Sequence, residues 1–250
     1  EMPKFFVNNK QIKNYKIEII GEDIKHIKKV LRKKIEDEIT ICDTENLQDY
    51  LCKIKKIEDE KIECEILEKI EETVEPKIKV TIFQGLPKAD KMELIIQKSV
   101  ELGVNDITPV EMNRSIVKFD NKDKEKKLQR WRKISEVASK QCGRNIIPNI
   151  NEMINVKNIC NLCPNYDIVL VAYENEKINK LKDEIKKIKN NPKKDIKIGV
   201  VIGPEGGIEE KEIDLLKQSN ARIITLGKRI LRTETVALNI LSILMYELED

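Results

Sequence analysis

Two short apolar, β-branched runs near the end of the chain each stop at a glycine and give way to a helical pattern, and this constrains the fold more than any other feature. The first runs Ile198-Gly199-Val200-Val201-Ile202 and turns at Gly203-Pro204-Glu205-Gly206-Gly207. The second runs Ile223-Ile224-Thr225-Leu226 and turns at Gly227-Lys228-Arg229, with Ile230-Leu231-Arg232-Thr233-Glu234-Thr235 following. A strand that ends in glycine and feeds a helix is how a parallel α/β sheet presents a ligand site at the carboxyl ends of its strands. Neither turn is a GxGxxG fingerprint or a GxxxxGK[ST] loop, so the usual phosphate-cradling readings fail. One such turn would be an ordinary strand-to-helix connection. Two together, each with charged residues behind it, point to a site.

The remaining organisation follows from periodicity. From Phe5 to about Glu72, short stretches alternate with period two, as in Tyr15–Ile20, Glu38–Asp43 and Lys61–Leu67, which suits a small barrel. One helix is expected inside it over Asp23–Arg32, with Ile24, Ile27, Val30 and Leu31 as its apolar stripe. The charged run to Pro76 reads as a linker, so the domains are expected at 1–73 and 77–250. Beyond it, strands at Lys79–Gly85, Asp106–Val110 and Asp167–Ala172 alternate with helices at Asp90–Leu102, Lys122–Gln141 and up to about Lys189. Thr233–Leu248 closes the chain as an apolar helix. That alternation predicts a parallel, helix-covered sheet.

Hydrophobic residues at 40% can fill such cores, while aromatics at 4% make them mainly Ile, Leu and Val. Charged residues nearly cancel to a net +3, but unevenly: residues 1–75 carry 15 Lys and Arg against 19 Asp and Glu. The excess of positive charge therefore lies in the second domain, the better candidate for holding a polyanion. No apolar run is long enough to cross a bilayer, no signal peptide is expected, and the native start is expected at Met2, after Glu1. The six scattered cysteines fit reduced thiols in the cytoplasm. Cys160 and Cys163 have CxxC spacing, but with no second pair and a single histidine, His26, no metal site is expected. The lone histidine also argues against His-dependent nucleophilic chemistry.

The two glycine turns, Gly203-Pro204-Glu205-Gly206-Gly207 and Leu226 to Thr235, resemble the signature of bacterial 16S ribosomal RNA uridine-N3 methyltransferases of the SPOUT superfamily. The similarity extends through His26–Arg32, Lys91-Met92-Glu93 with Lys98 and Glu101–Gly103, Arg130-Trp131, Gln141–Arg144 and Pro148. Ile208 stands where an aromatic is common and Val236 where alanine is common. The resemblance implies a PUA-like barrel followed by a catalytic domain with a C-terminal trefoil knot, a rare exception to the rule that chains do not thread their loops. It implies S-adenosylmethionine as methyl donor, 16S rRNA of the 30S subunit as partner, and a homodimer paired through the knotted domain.

Such a donor has no phosphate and needs an apolar slot, backbone groups to read adenine, and oxygens near its sulfonium. Leu226, Ile230 and Leu231 are candidates for the slot, with Ile202, Gly203, Pro204, Glu205, Gly207 and Gly227 alongside and a third loop at Ala172-Tyr173-Glu174. Methylating uracil N3 removes a proton and spreads charge onto the flanking carbonyls, which calls for a cation and a proton acceptor. Arg232 is the candidate cation and Glu234 the weaker candidate acceptor, because a carboxylate at a helix start also favours the helix dipole and Thr233 is a possible N-cap. RNA contacts are expected from Lys28 and Arg32 in the barrel and from Lys88, Lys91, Arg114 and Arg144 beyond it, with Lys29 and Arg130 further basic candidates. Two other readings stand beside this one: a knotted ribose 2′-O methyltransferase, and a non-catalytic RNA-binding ribosome assembly factor.

Overall fold

The structure, a computed structural model, describes residues 4–71, 73–193 and 195–249. The chain divides into two compact units, residues 1–75 with 139–147, and residues 76–138 with 148–250.

The first unit is a six-stranded sheet of β1 (Lys4–Val7), β2 (Ile12–Lys13), β3 (Lys16–Ile20), β4 (Glu38–Asp43), β5 (Gln48–Ile57) and β6 (Lys61–Ile70). Their order is β1-β4-β5-β6-β3-β2, with every pair antiparallel except β1 and β4. The period-two pattern sends Ile17, Ile19, Ile39, Ile41, Ile62 and Cys64 to one face, where they join Phe5, Val7 and Ile54 in a single core. The terminal strands β1 and β2 are not paired with each other among the described residues, so backbone hydrogen bonds do not close the expected barrel there.

The expected helix at 23–32 is corrected. Only α1 (Glu22–Lys25) is α-helical, and His26–Val30 form a wider π turn. In the wider turn a residue three places on from Ile27 swings off the buried stripe, which leaves Val30 66% exposed while Ile24 and Ile27 stay buried. The segment 139–147, read from the sequence as part of the second domain, packs with this unit. Its Lys140 ammonium reaches Asp23 at 2.9 Å, and the Gly143 carbonyl accepts from Lys4 at 2.6 Å.

The second unit is a parallel sheet. Its elements are β7 (Lys79–Gly85), α2 (Lys91–Glu101), β8 (Asp106–Glu111), α3 (Asn121–Cys142, which belongs to this unit up to Ala138), β9 (Asn149–Ile150), β10 (Ile154–Asn155), α4 (Val156–Leu162), β11 (Ile168–Ala172), α5 (Leu181–Lys189), β12 (Lys197–Ile202), α6 (Glu210–Gln218), β13 (Arg222–Ile224) and α7 (Thr233–Leu248). The order is β10-β8-β7-β12-β11-β13, with β9 beside β8. Ile198 through Ile202 are all buried, as expected of a strand covered on both faces. The short elements β9, β10 and α4 were not anticipated; two-residue strands are too brief to show a period. Gly103, at φ +90°, ends α2 as its position implied.

Chain order and spatial order differ where it matters. β12 lies between β7 and β11, β13 lies beyond β11, and α7 then returns to pack on α2, α5, β7 and β12. Three strands therefore end level, with Ala172 in register with both Ile202 and Ile224.

Candidate functional site

The loops leaving β11, β12 and β13, with the first turn of α7, enclose a cleft of about 450 Å³. Its walls hold Ala172, Tyr173 and Glu174 from the first loop and Ile202, Gly203, Pro204, Glu205 and Gly207 from the second. Leu226, Gly227, Ile230 and Leu231 come from the third, and Arg232 and Lys91 stand at the edge. The structure thus brings together all the residues that the sequence offered for a donor, from three loops separated in the chain by whole helix–strand units. Leu226 and Leu231 are half-buried, but Ile230 is 87% exposed and belongs to the rim, not to a buried slot.

Backbone geometry explains the glycines. Gly207 donates its N–H to the Pro204 carbonyl at 2.9 Å, closing a turn that needs φ +72° at Gly207. A Cβ there would sit 2.4 Å from a Glu174 carboxylate oxygen, and one on Gly203 would sit 2.9 Å from Ile208 Cγ1. Two loops therefore meet at van der Waals distance with nothing between them, and Glu174 is pressed against the turn.

Charge gathers on one side of the cleft. The Lys91 ammonium lies 3.0 Å from Glu205 and 3.4 Å from Glu234. Burial pushes the Glu205 carboxyl up, but hydrogen bonds from its own N–H, Lys91 and the Lys88 N–H outweigh it, and the net displacement is downward. The hydrogen bond to Glu205 correspondingly raises Lys91. Arg232 is exposed, and no hydrogen-bond or ion-pair partner engages its guanidinium among the described residues.

Thr233 is not the N-cap. Arg232 occupies that position with extended backbone and no side-chain cap, while Thr233 opens the helix with its hydroxyl turned elsewhere. That hydroxyl donates to the Gly203 carbonyl at 2.7 Å and accepts from Gln84 Nε2 at 2.8 Å. Gln84 was missed in the sequence. Its signal was present, because Lys79–Gly85 is a third apolar strand that ends in glycine.

The basic residues proposed for RNA separate. Arg32 is exposed, at φ +52°, while Lys28 is ion-paired to Asp59 at 3.0 Å. Lys88 is exposed and Arg114 donates to the Gly206 carbonyl at 3.1 Å, beside the cleft turn. Lys91 points at carboxylates of the cleft rather than outward. Arg144 is a correction: it is 5% exposed, and its guanidinium forks onto Glu75, with Nε 3.1 Å from Oε2. The other Glu75 oxygen accepts from the N–H groups of Asn145 and Ile146, so this buried pair holds 139–147 in the first unit. Arg130 is likewise engaged, by Glu93 at 2.7 Å. Among the described residues, no three His, Cys, Asp or Glu side chains gather as a metal site, and no helix is long and apolar enough to cross a membrane.

Comparison with known proteins places this architecture. Residues 74–245 match the RNA methyltransferase domain family and residues 19–67 match the RNA methyltransferase PUA domain. The chain is 36% identical over 231 residues to ribosomal RNA small subunit methyltransferase E of Bacillus subtilis (strain 168), covering 92% of this chain and 90% of that protein. Against the protein of that name from Mesomycoplasma hyopneumoniae (strain 232), identity is 37% over 241 residues, covering 96% and 98%. The crystal structure of ribosomal RNA small subunit methyltransferase E from Neisseria gonorrhoeae bound to S-adenosyl methionine superposes with a TM-score of 0.85 at 29% identity, covering 98% of each chain. The chain is thus that of an RNA methyltransferase with a PUA domain. Within that class, the chain belongs to the ribosomal RNA small subunit methyltransferase E family.

Proposed function

We propose that the protein transfers a methyl group from S-adenosylmethionine to N3 of a uridine in 16S rRNA of the small ribosomal subunit. The observation that carries this reading is the convergence of three strand-end loops on one cleft beside Arg232, an arginine unpaired among the described residues. The cleft fits the donor. Leu226, Leu231 and Ile202 supply apolar wall, the glycine turns leave backbone open, and Glu174 gives a carboxylate for a cationic group. Bound there, S-adenosylmethionine supplies an electrophilic methyl on a sulfonium.

The protein's own residues then handle the uracil. Arg232 offers its planar fork to the carbonyl oxygens as N3 loses its proton, where a preorganised cation outweighs water. Glu234 is the proton acceptor in this reading, and Lys91 beside it fixes its carboxylate. Lys88, Arg114, Lys28 and Arg32 hold the RNA backbone while the base leaves its stack. The return of α7 across β12 to β7, after β13 has been laid beyond β11, supports the threaded C-terminus that the family resemblance implies. The outer side of α7, with Tyr246 84% exposed, supports pairing of two copies there. The domain roles follow: 1–73, joined by 139–147, as RNA-binding PUA-like domain, and the rest of 77–250 as catalytic domain, in the cytoplasm.

Incubation with labelled donor and unmodified 30S subunits tests the reading. Label is expected as 3-methyluridine in 16S rRNA, and Arg232→Ala is expected to lower the rate by about 10²-fold or more with donor affinity retained. Glu234→Gln is expected to lower it by about 10²-fold as well. Label on a ribose would overturn the target atom, and an unchanged Glu234→Gln rate would return that residue to a helix-start role.

A further inference from the structure

We infer that Gln84, with Thr233, is a positioning residue of the methyl-transfer site: a buried carboxamide–hydroxyl relay sets where Arg232 stands relative to the cleft turn. The inference rests on the proposed methyl transfer but is argued from hydrogen-bond accounting alone. Gln84 is fully buried at the end of β7, and Thr233, 149 positions later, is 5% exposed. The carboxamide has two N–H bonds. One goes to the Gly85 carbonyl at 2.9 Å and the other to Thr233 Oγ1 at 2.8 Å. A hydroxyl that accepts from Gln84 has one proton left, and it goes to the Gly203 carbonyl at 2.7 Å. Donor directions are therefore fixed in sequence: amide to hydroxyl, hydroxyl to carbonyl.

This relay joins three elements that are far apart in the chain: the end of β7, the turn after β12 and the first residue of α7. Apart from the Lys91 ammonium 3.4 Å from Glu234, the start of α7 has no side-chain tie of this kind among the described residues. Its N-cap Arg232 makes no side-chain cap bond, and no such cap fixes the helix start. The cleft turn, in contrast, has its own supports, the Gly207 N–H to Pro204 and the Glu205 bonds to Lys91 and the Lys88 N–H. Loss of the relay should therefore loosen the helix start and leave the turn in place. Arg232 directly precedes Thr233, and displacement of a reacting group by about 1 Å can lower a rate about 10²-fold. The remaining Gln84 oxygen, Oε1, is buried with no hydrogen-bond partner among the described residues. A carboxamide is kept here for its two donors.

The test compares wild type with Gln84→Met, Thr233→Val and Thr233→Ser. Three quantities are measured: donor Kd, kcat per donor-loaded site on 30S subunits, and amide hydrogen exchange at Val236, whose N–H closes the first turn onto the Arg232 carbonyl. Gln84→Met and Thr233→Val are expected to lower kcat at least tenfold, with donor Kd within threefold, and to speed Val236 exchange at least tenfold. Thr233→Ser, which keeps the hydroxyl, is expected within twofold of wild type throughout. Normalising to donor-loaded sites removes any unfolded fraction. Unchanged exchange overturns the inference, and so does a kcat loss matched by the donor Kd. If the wild type methylates nothing while the exchange pattern is still found, the positioning stands and the methyl-transfer reading falls.

Discussion

At the scale of single residues, the contact between Gly207 and Glu174 says most about how the cleft is built. Gly207→Ala meets two separate obstacles there. The left-handed backbone disfavours any residue with a Cβ by about 1–2 kcal/mol, and the new carbon would overlap a Glu174 carboxylate oxygen. The second obstacle is the tip of a flexible side chain, which can move aside, whereas the backbone strain cannot relax. Gly207→Ala is therefore expected to lower unfolding stability by about 1–2 kcal/mol. It is also expected to push Glu174 off the cleft wall and weaken donor binding. Chemical denaturation in wild-type and Glu174→Ala backgrounds separates the two effects. The stability loss should persist in the Glu174→Ala background, while the additional loss of donor affinity should disappear. Loss of the stability effect in that background would mean that the side-chain clash, not the backbone, governs the position.

Between elements, the Lys91 tie links α2 to the cleft turn and to α7, and its pH dependence has a definite sign. Glu205 is displaced below the ordinary 4.5, so its contribution is full above that value and is lost as pH falls through the lowered one. Lys91 is displaced above 10.5, so its contribution is full below that value and is lost as pH rises through the raised one. The tie is thus intact across neutral pH and fails first in acid. The stability difference between wild type and Glu205→Gln should stay flat from pH 5 to about 9 and shrink below about 4. Denaturation midpoints across that range check this, and a difference that grows in acid would refute the assignment.

The same scale shows what the sequence made legible. Strands β7, β11 and β12 and helices α2 and α7 were visible because each has a buried period and a glycine or helix start to bound it. The cleft was visible because glycines mark strand ends. The π turn at His26–Val30 was hidden because Ile24, Ile27, Val30 and Leu31 also satisfy α-helical spacing. Arg144 was misread because its partner, Glu75, lies 69 positions away and nothing local announces a buried pair. The relay through Gln84 was hidden for the same reason.

At the scale of the whole molecule, each unit closes a core on its own residues: Ile17, Ile39, Cys52, Ile62 and Cys64 in one, and Phe83, Cys163, Val171, Val201 and Ile213 in the other. No disulfide joins the six cysteines, and the buried ones among them report on these cores. Burial pushes the thiols of Cys52 and Cys64 up to about 12, and Cys42, with burial and then Asp49 acting on it, also to about 12. Burial raises Cys163 as well. At pH 8 these four are therefore protonated and shielded, and only the partly exposed Cys142 and Cys160 should react quickly with a thiol reagent. The others can react only when their own core opens. The smaller first unit has less apolar surface to bury and is expected to open first as urea rises. Cys52 and Cys64 should then become labelled at lower urea than Cys163, as mass spectrometry of digested, pulse-labelled protein would show. Simultaneous labelling of all three would mean one cooperative molecule, whose two units are never separately unfolded. Separate transitions would mean that the second unit keeps its cleft while the first unit is open.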